Sequence, residues 1–500
     1  MRTQEPAAFP GETERKALPP QEPDSAAAAW ETKPPAELNT DPLPSPTPAN
    51  VEETARDALR LPQRISAAYL ALLCTLFLWS FDGNGYTAIT AVKQAAFYGL
   101  CGSYVLSLCA SLAVLRGKSR LPKGVLAGRL RAALPLLLPV LGYLCWTLLS
   151  AALSPHGAAV WFGASRREGA VTIAAYCVSA CLLMLFSAPG MGTLHALGLG
   201  VTGLGIVTLL QTAGGDPFDL YPGALDFYTA NPTFAGTIGN VGFFGAFLCL
   251  AIPCLLGGLL HGVRRLQADG ARAYLRLWLV LPLGLALYCL WRIDVLAAWV
   301  GLGAGLALAL PALLRLSRQA CVLWYAALAG LALGAVTALY FLDPGTGAAH
   351  ELHALLHGQA EPGFDTGRFY IWREVASRTG ERLLLGQGPD TMLLCKIPPF
   401  SRYDEALGRT VTAAIDTAHC EYLNVLFHQG IPALLCFLCA IGAALYDTLQ
   451  RESGSPAAVI LGAAVLCYAI EALFGISQPV TSPFFWAALG CAGSCGLQRK

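Results

Sequence analysis

The chain has 500 residues, of which 55% are hydrophobic and 13% charged, with a formal net charge of +1. Soluble domains carry about 25% charged residues. Here the apolar residues come in runs long enough to span a bilayer as helix, which excludes a soluble multidomain protein, and nothing in the charge balance points to nucleic acid. The sequence reads as an all-α, polytopic integral membrane protein.

Residues 1–60 are rich in Pro, Ala and Glu and lack the apolar core and cleavage site of a signal peptide. They are expected to form a disordered cytoplasmic tail, because they bury too little apolar surface to offset ordering entropy. Transmembrane helices 1–9 are then expected within 61–342, at windows 65–81, 92–115, 132–152, 169–187, 194–212, 236–260, 275–292, 294–314 and 321–342. Only Trp291-Arg292-Ile293-Asp294 separates the seventh from the eighth, so a tight hairpin or a broken helix is expected there. A polar segment follows at 343–420. Helices 10–12 are expected within 421–500, at 421–446, 456–474 and 480–497, giving about twelve spans.

Most of the 17 cysteines lie in apolar runs, where a thiol packs as a small hydrophobe. Cys395 and Cys420 share the long loop and are the pair to check for a disulfide.

Lys and Arg in the short loops set the orientation. One set of loops holds Arg116, Lys118, Arg120, Lys123, Arg129, Arg131, Arg264, Arg265, Arg272, Arg276, Arg315, Arg318 and Arg451, and the C-terminus adds Arg499 and Lys500. The opposite set holds Lys93, Arg166, Arg167 and Arg292. Both termini are therefore expected in the cytoplasm, and the 343–420 loop outside the cell membrane. The four basic residues against the bias either snorkel to headgroups or bind an anion.

Within the long loop a helix is predicted from about Gly367 to Thr379, placing Arg368 and Trp372 on one face. Gly386-Gln387-Gly388-Pro389 must turn sharply. His419 stands at the entry to the next span, with Glu421 two residues on. Arginine gives bidentate bonds to phosphate, and histidine exchanges a proton near neutral pH. Together they point to a lipid-linked phosphate or pyrophosphate, against the plainer reading of a solvated helix with ordinary surface charge. His350, His353 and His357 have helical spacing but not the His-Glu-x-x-His arrangement, so they read as a surface helix, with no metal site assigned. Asp216, Asp219 and Asp226 read as solvated turn formers, with contact of one of them to a sugar as the alternative. Glu471 is the clearest acidic group within a span.

TGRFYIWREV, LLLGQGPD and AHCEYLNVLFHQGIPALL resemble the long-loop signature of the O-antigen ligase and O-antigen polymerase superfamily. GNGYTAITAVKQ, WFGASRREG, NPTFAGTIGNVGFFGAFL and LWRIDVLAAWVG resemble further segments of that family in order. Cys420, Val241 and Trp291 depart from its pattern. The resemblance implies a glycosyltransferase that uses no metal, nucleotide sugar or other cofactor. Its donor would be an undecaprenyl-pyrophosphate-linked glycan, and its acceptor a glycan, lipid or protein. By position, Arg292 and Arg368 would hold the pyrophosphate and His419 would activate the acceptor hydroxyl. Lys93, Arg166, Arg167, Trp372, Gly386, Gly388, Glu421 and Tyr422 would line the substrate site. A transporter or flippase, which predicts repeated halves and a mid-membrane polar site, and a non-catalytic glycan-binding member of the same fold are the alternatives.

Overall fold

The computed structural model describes residues 48–118, 124–221, 235–264, 276–359, 364–404, 408–449 and 455–497. Expectations for the tail at 1–47, and for Arg120, Lys123, Asp226, Arg265, Arg272, Arg451, Arg499 and Lys500, lie outside these residues.

The described chain is helical apart from one small hairpin. In order come α1 (Pro48–Leu72), continued by a π-helical turn at Leu73–Phe77, then α2 (Ile89–Gly117), α3 (Val125–Ala152), α4 (Ala170–Phe186), α5 (Met191–Thr212) and α6 (Val241–Arg264). They are followed by α7 (Val280–Ile293), α8 (Leu296–Leu314), α9 (Arg318–Phe341), α10 (Gly347–Leu356) and α11 (Phe364–Thr379). After the hairpin of β1 (Phe400–Asp404) and β2 (Arg409–Ala413), α12 (Glu421–Gln429), α13 (Ile431–Leu449), α14 (Pro456–Glu471) and α15 (Ser482–Leu497) complete the chain. The antiparallel strands pair Phe400 with Ala413 and Asp404 with Arg409.

A helix falls in each apolar window. Six of these helices, α2, α3, α5, α6, α8 and α9, are long and apolar enough among the described residues to cross a membrane. The others are shorter or interrupted: α7 ends where Asp294 turns left-handed (φ 47°), and Gly430 divides α12 from α13. One boundary is corrected. α1 begins at Pro48, so residues 48–60 are helical where composition implied disorder. Ala58 and Leu59 are buried, and Asp57 pairs with Arg60 one turn on.

The core runs through the bundle. α14 packs on α6 and α8, and α15 lies against α4. Gly301 of α8 meets Glu471 of α14 so closely that a Cβ would lie 2.7 Å from the Glu471 Cβ. Tyr143, Tyr176, Phe437, Phe485 and Trp486 form a continuous aromatic cluster. The 343–420 segment has its own small core of Ile371, Val375, Met392, Ile397, Ile415, Ala418 and Phe427. Because Phe427 belongs to α12, this core ties the loop to the bundle.

Candidate functional site

His419 sits in a segment fixed from both sides. Its own backbone is left-handed (φ 49°), a sparsely populated region for a residue with a side chain. Both polar backbone groups of Ala418, just before it, are taken by side chains. The Trp372 Nε1 donates to the Ala418 carbonyl at 2.8 Å, and the Ala418 N–H donates to Asn424 Oδ1 at 2.8 Å. Asn424 is itself held by Thr417, to whose hydroxyl its Nδ2 donates at 3.0 Å. Downstream, the Glu421 N–H donates to the Ala472 carbonyl at 2.9 Å. Unusual backbone persists when its surroundings over-determine it, and sites of chemistry are where this recurs.

α11 carries Arg368 and Trp372 one turn apart, so the indole that fixes Ala418 also sets the height of Arg368. The Arg368 charge reaches the Cys420 thiol and the Glu471 carboxylate. Burial pushes the Cys420 thiol up, opposed first by the Leu423 and Tyr422 N–H groups and more weakly by Arg368. Glu421 is buried, and its carboxylate accepts from the Ser477 N–H at 2.8 Å; the Tyr422 hydroxyl donates to the Ala469 carbonyl at 2.5 Å. Cys395 and Cys420 are both free thiols.

The Gly-x-Gly turn is seated on the break between α12 and α13. Gln387 N–H donates to the Phe427 carbonyl at 2.9 Å, and Gly388 N–H to the His428 carbonyl at 2.8 Å. Ile431 N–H donates back to the Leu383 carbonyl at 3.0 Å. α3 and the residue two beyond its end grip the same strip. Trp146 Nε1 donates to the Leu384 carbonyl at 2.8 Å, and the Ser154 hydroxyl to the Gln387 carbonyl at 2.5 Å. Gly386 (φ 67°) and Gly430 (φ 83°) face this contact, and a Cβ on either would overlap the opposing backbone.

Asp390 follows the turn and organises the 163–168 loop. Its buried carboxylate accepts from the Ser165 N–H (3.1 Å), the Ser165 hydroxyl (2.8 Å) and the Arg166 N–H (2.8 Å). Burial raises its carboxyl above the ordinary range, and these donors counter the shift. Arg166 is ion-paired with Asp416, Nε to Oδ2 at 2.7 Å and Nη2 to Oδ1 at 2.9 Å. Arg167 is exposed, left-handed (φ 62°), with Nη1 on Gln94 at 3.3 Å. Glu168, Asp390, Asp416, Glu421 and His428 line one cavity with Arg166 and the aromatic residues Tyr143, Tyr176, Phe437 and Trp486.

Glu168 accepts from the Tyr176 hydroxyl at 2.7 Å, and withdrawal from water raises its carboxyl well above the usual range. A carboxyl raised by folding contributes stability below its unfolded pKa that is lost as pH climbs through the folded value. The thermal midpoint should therefore fall from the acidic side towards alkaline pH. In Glu168→Gln that share of the fall should disappear, as read by unfolding curves at several pH values.

Lys93 is placed away from any loop surface. It is fully buried, with Nζ donating to the carbonyls of Phe77 and Leu78, both at 3.0 Å, where the π-helical turn ends. A cation there satisfies C-terminal carbonyls and complements the helix dipole. Lys93→Met is accordingly expected to cost about 1–3 kcal/mol of stability and to leave the KM for donor unchanged, measured by thermal unfolding and transfer kinetics side by side. Arg292, in the last turn of α7, lies over the Trp291 ring at 5.4 Å. The chain continues from it into α8 and so down to the contact of Gly301 with Glu471. His350 is paired with Asp343, while His357, at the end of α10, stacks on Tyr340 and meets the His353 ring at a tilt. No group of three or more His, Cys, Asp or Glu suited to a metal occurs among the described residues. The Tyr221 N–H donates to Asp216 at 2.8 Å, the turn role read from sequence.

Asp390, Asp416, Asn424 and Glu168 were not read as site residues from sequence. Asp390 carried a local signal, a carboxylate directly after a Gly-x-Gly-Pro turn. Asp416 meets Arg166 across 250 positions, which no local pattern reveals.

The class defined by these features is a multi-pass helical membrane protein with a polar site built where a long loop re-enters the bundle. Residues 281–438, a segment that includes Arg292, Arg368 and His419, match the family described as O-antigen ligase. No curated protein and no solved structure matches the chain.

Proposed function

We propose that this protein is a membrane glycosyltransferase that moves a glycan from an undecaprenyl-pyrophosphate carrier to an acceptor at the outer face of a bacterial cytoplasmic membrane. It would cross the membrane about twelve times with both termini inside, as the Lys and Arg distribution favours. The observation that carries the reading is the convergence of α11 on His419: one helical face supplies Arg368 and the indole that fixes the residue before the histidine.

In this reaction the imidazole of His419 takes the acceptor hydroxyl proton as the oxygen attacks the anomeric carbon. The bond from that carbon to the pyrophosphate oxygen breaks, and the electron pair leaves with the carrier. Arg368 and Arg292 stabilise the charge that builds there, in a partly dry site where fixed cations act strongly. Arg167 is exposed on the neighbouring loop for the same anion, whereas Arg166 reaches it by leaving Asp416. Trp372, Gly386, Gly388, Glu421 and Tyr422 hold the frame through the contacts above. No metal enters the proposed chemistry. Glycan ligation and polymerisation share these steps, differing in the acceptor.

The test is transfer by purified protein from a defined undecaprenyl-pyrophosphate glycan. Parent protein should release carrier pyrophosphate while glycan appears on the acceptor, and His419→Ala should reduce this by about 10²–10⁴-fold. Movement of intact carrier across vesicles with no bond broken would instead identify a transporter.

A further inference from the structure

Two cavities adjoin at the end of the bundle remote from the loop. The first is an apolar chamber of about 340 Å³ between α1, α5, α6, α14 and α15, with walls that include Leu73, Leu194, Leu250, Cys254, Phe484 and Cys491. The second, of about 310 Å³, is bounded by α6, α8 and α14 and carries Arg315. They share His261, Pro456 and Ile460. Arg276 stands against Gly262, beside His261. α9 starts three residues after Arg315 and ends at the long loop; at 1.5 Å per residue its length places Arg315 roughly 36 Å from the loop.

The chamber follows α15 from Phe484 to Cys495, roughly 16 Å of helix. That is about the hydrocarbon depth of one leaflet, half of a core ~30 Å thick. An apolar slot of leaflet depth that opens beside arginine has the two-part chemistry of an anionic amphiphile. Hydrocarbon fills the slot, and a phosphate meets guanidinium. A neutral or zwitterionic lipid would forgo the second part, and a free phosphate the first.

We infer that these joined cavities form a binding site for one anionic glycerophospholipid, with an acyl chain between α6, α14 and α15 and its phosphate held by Arg315 and His261. The site is separate from the loop-side residues assigned to glycan transfer and does not rest on that assignment. Its placement would make bundle packing, and α6 against α14 in particular, sensitive to the lipid charge of the opposite leaflet.

The experiment uses the full chain in detergent, with dioleoyl-phosphatidylglycerol or dioleoyl-phosphatidylcholine added, read by native mass spectrometry and thermal unfolding. One phosphatidylglycerol per chain should be retained, with a higher unfolding midpoint than in phosphatidylcholine. Arg315→Gln should lower the preference by about fivefold, and Arg315→Lys should keep most of it. Ala457→Trp, which narrows the chamber without touching charge, should reduce retention of phosphatidylglycerol while the midpoint in phosphatidylcholine stays near that of the parent, a control for folding. Equal retention of the two lipids would overturn the inference. So would an unchanged preference in Arg315→Gln, or full competition by glycerol 3-phosphate, which has the charge and no chain.

Discussion

Arg368→Lys is expected to lose glycan transfer almost as completely as Arg368→Ala, by about 10²–10³-fold in kcat. The reason lies in how Arg368 is mounted. α11 is fixed at its Trp372 turn by the bond to Ala418, and Arg368 is one turn earlier on the same face. In the proposed role a guanidinium at that height would present a planar fork to two pyrophosphate oxygens. Lysine carries the same charge as a single ammonium on a flexible stem and cannot reproduce both bonds. Because the charge builds on the leaving group, the loss should appear in kcat more than in KM. Single-turnover assays with saturating donor separate the two. A lysine variant with near-parental kcat would show that charge alone suffices and remove the clamp.

The second large effect is on folding. Gly386→Ala should destabilise the protein by about 3–5 kcal/mol and prevent recovery of folded chain from membranes. Two costs add. The backbone at 386 is left-handed (φ 67°), and a Cβ there would overlap the His428 carbonyl, which already accepts from Gly388 and from Ser150. No flexible side chain stands in the way to move aside; the obstacle is main chain that supports α12 and the 387–388 bonds. Gly380→Ala is the matching control, since nothing lies within 4 Å of its would-be Cβ. Chromatographic profiles and thermal midpoints of the pair would decide the matter, and equal behaviour would remove the seat from the list of structural determinants.

Much of the fold was legible because hydrocarbon-length apolar runs are local, and local patterns survive in sequence. The interruption near Trp291–Asp294 was visible for the same reason. The start of α1 was missed because its buried pair, Ala58 and Leu59, is only two residues within a Pro-, Ala- and Glu-rich stretch. The β-hairpin was missed because FSRYD and RTVTA are five residues each and show no clean alternation. In the site, Arg368 and Trp372 could be placed on one face, yet the partner of the indole lies 46 residues away. Lys93 shows the converse: a basic residue on the sparse side of the charge bias looked available for substrate. Its role depends on two carbonyls at the end of another helix, which become acceptors only once that helix stops.

The seating of 383–388 across 427–431, with α3 gripping the outer edge, bears on any attempt to exchange specificity between relatives. A transplanted 343–420 segment would meet a host groove cut for another strip of main chain. It would need Trp146 and Ser150 of α3, Ser154 just beyond it, and the Phe427–Ile431 corner between α12 and α13 to lie flat. The smallest portable unit is therefore discontinuous: three stretches of sequence that must travel together.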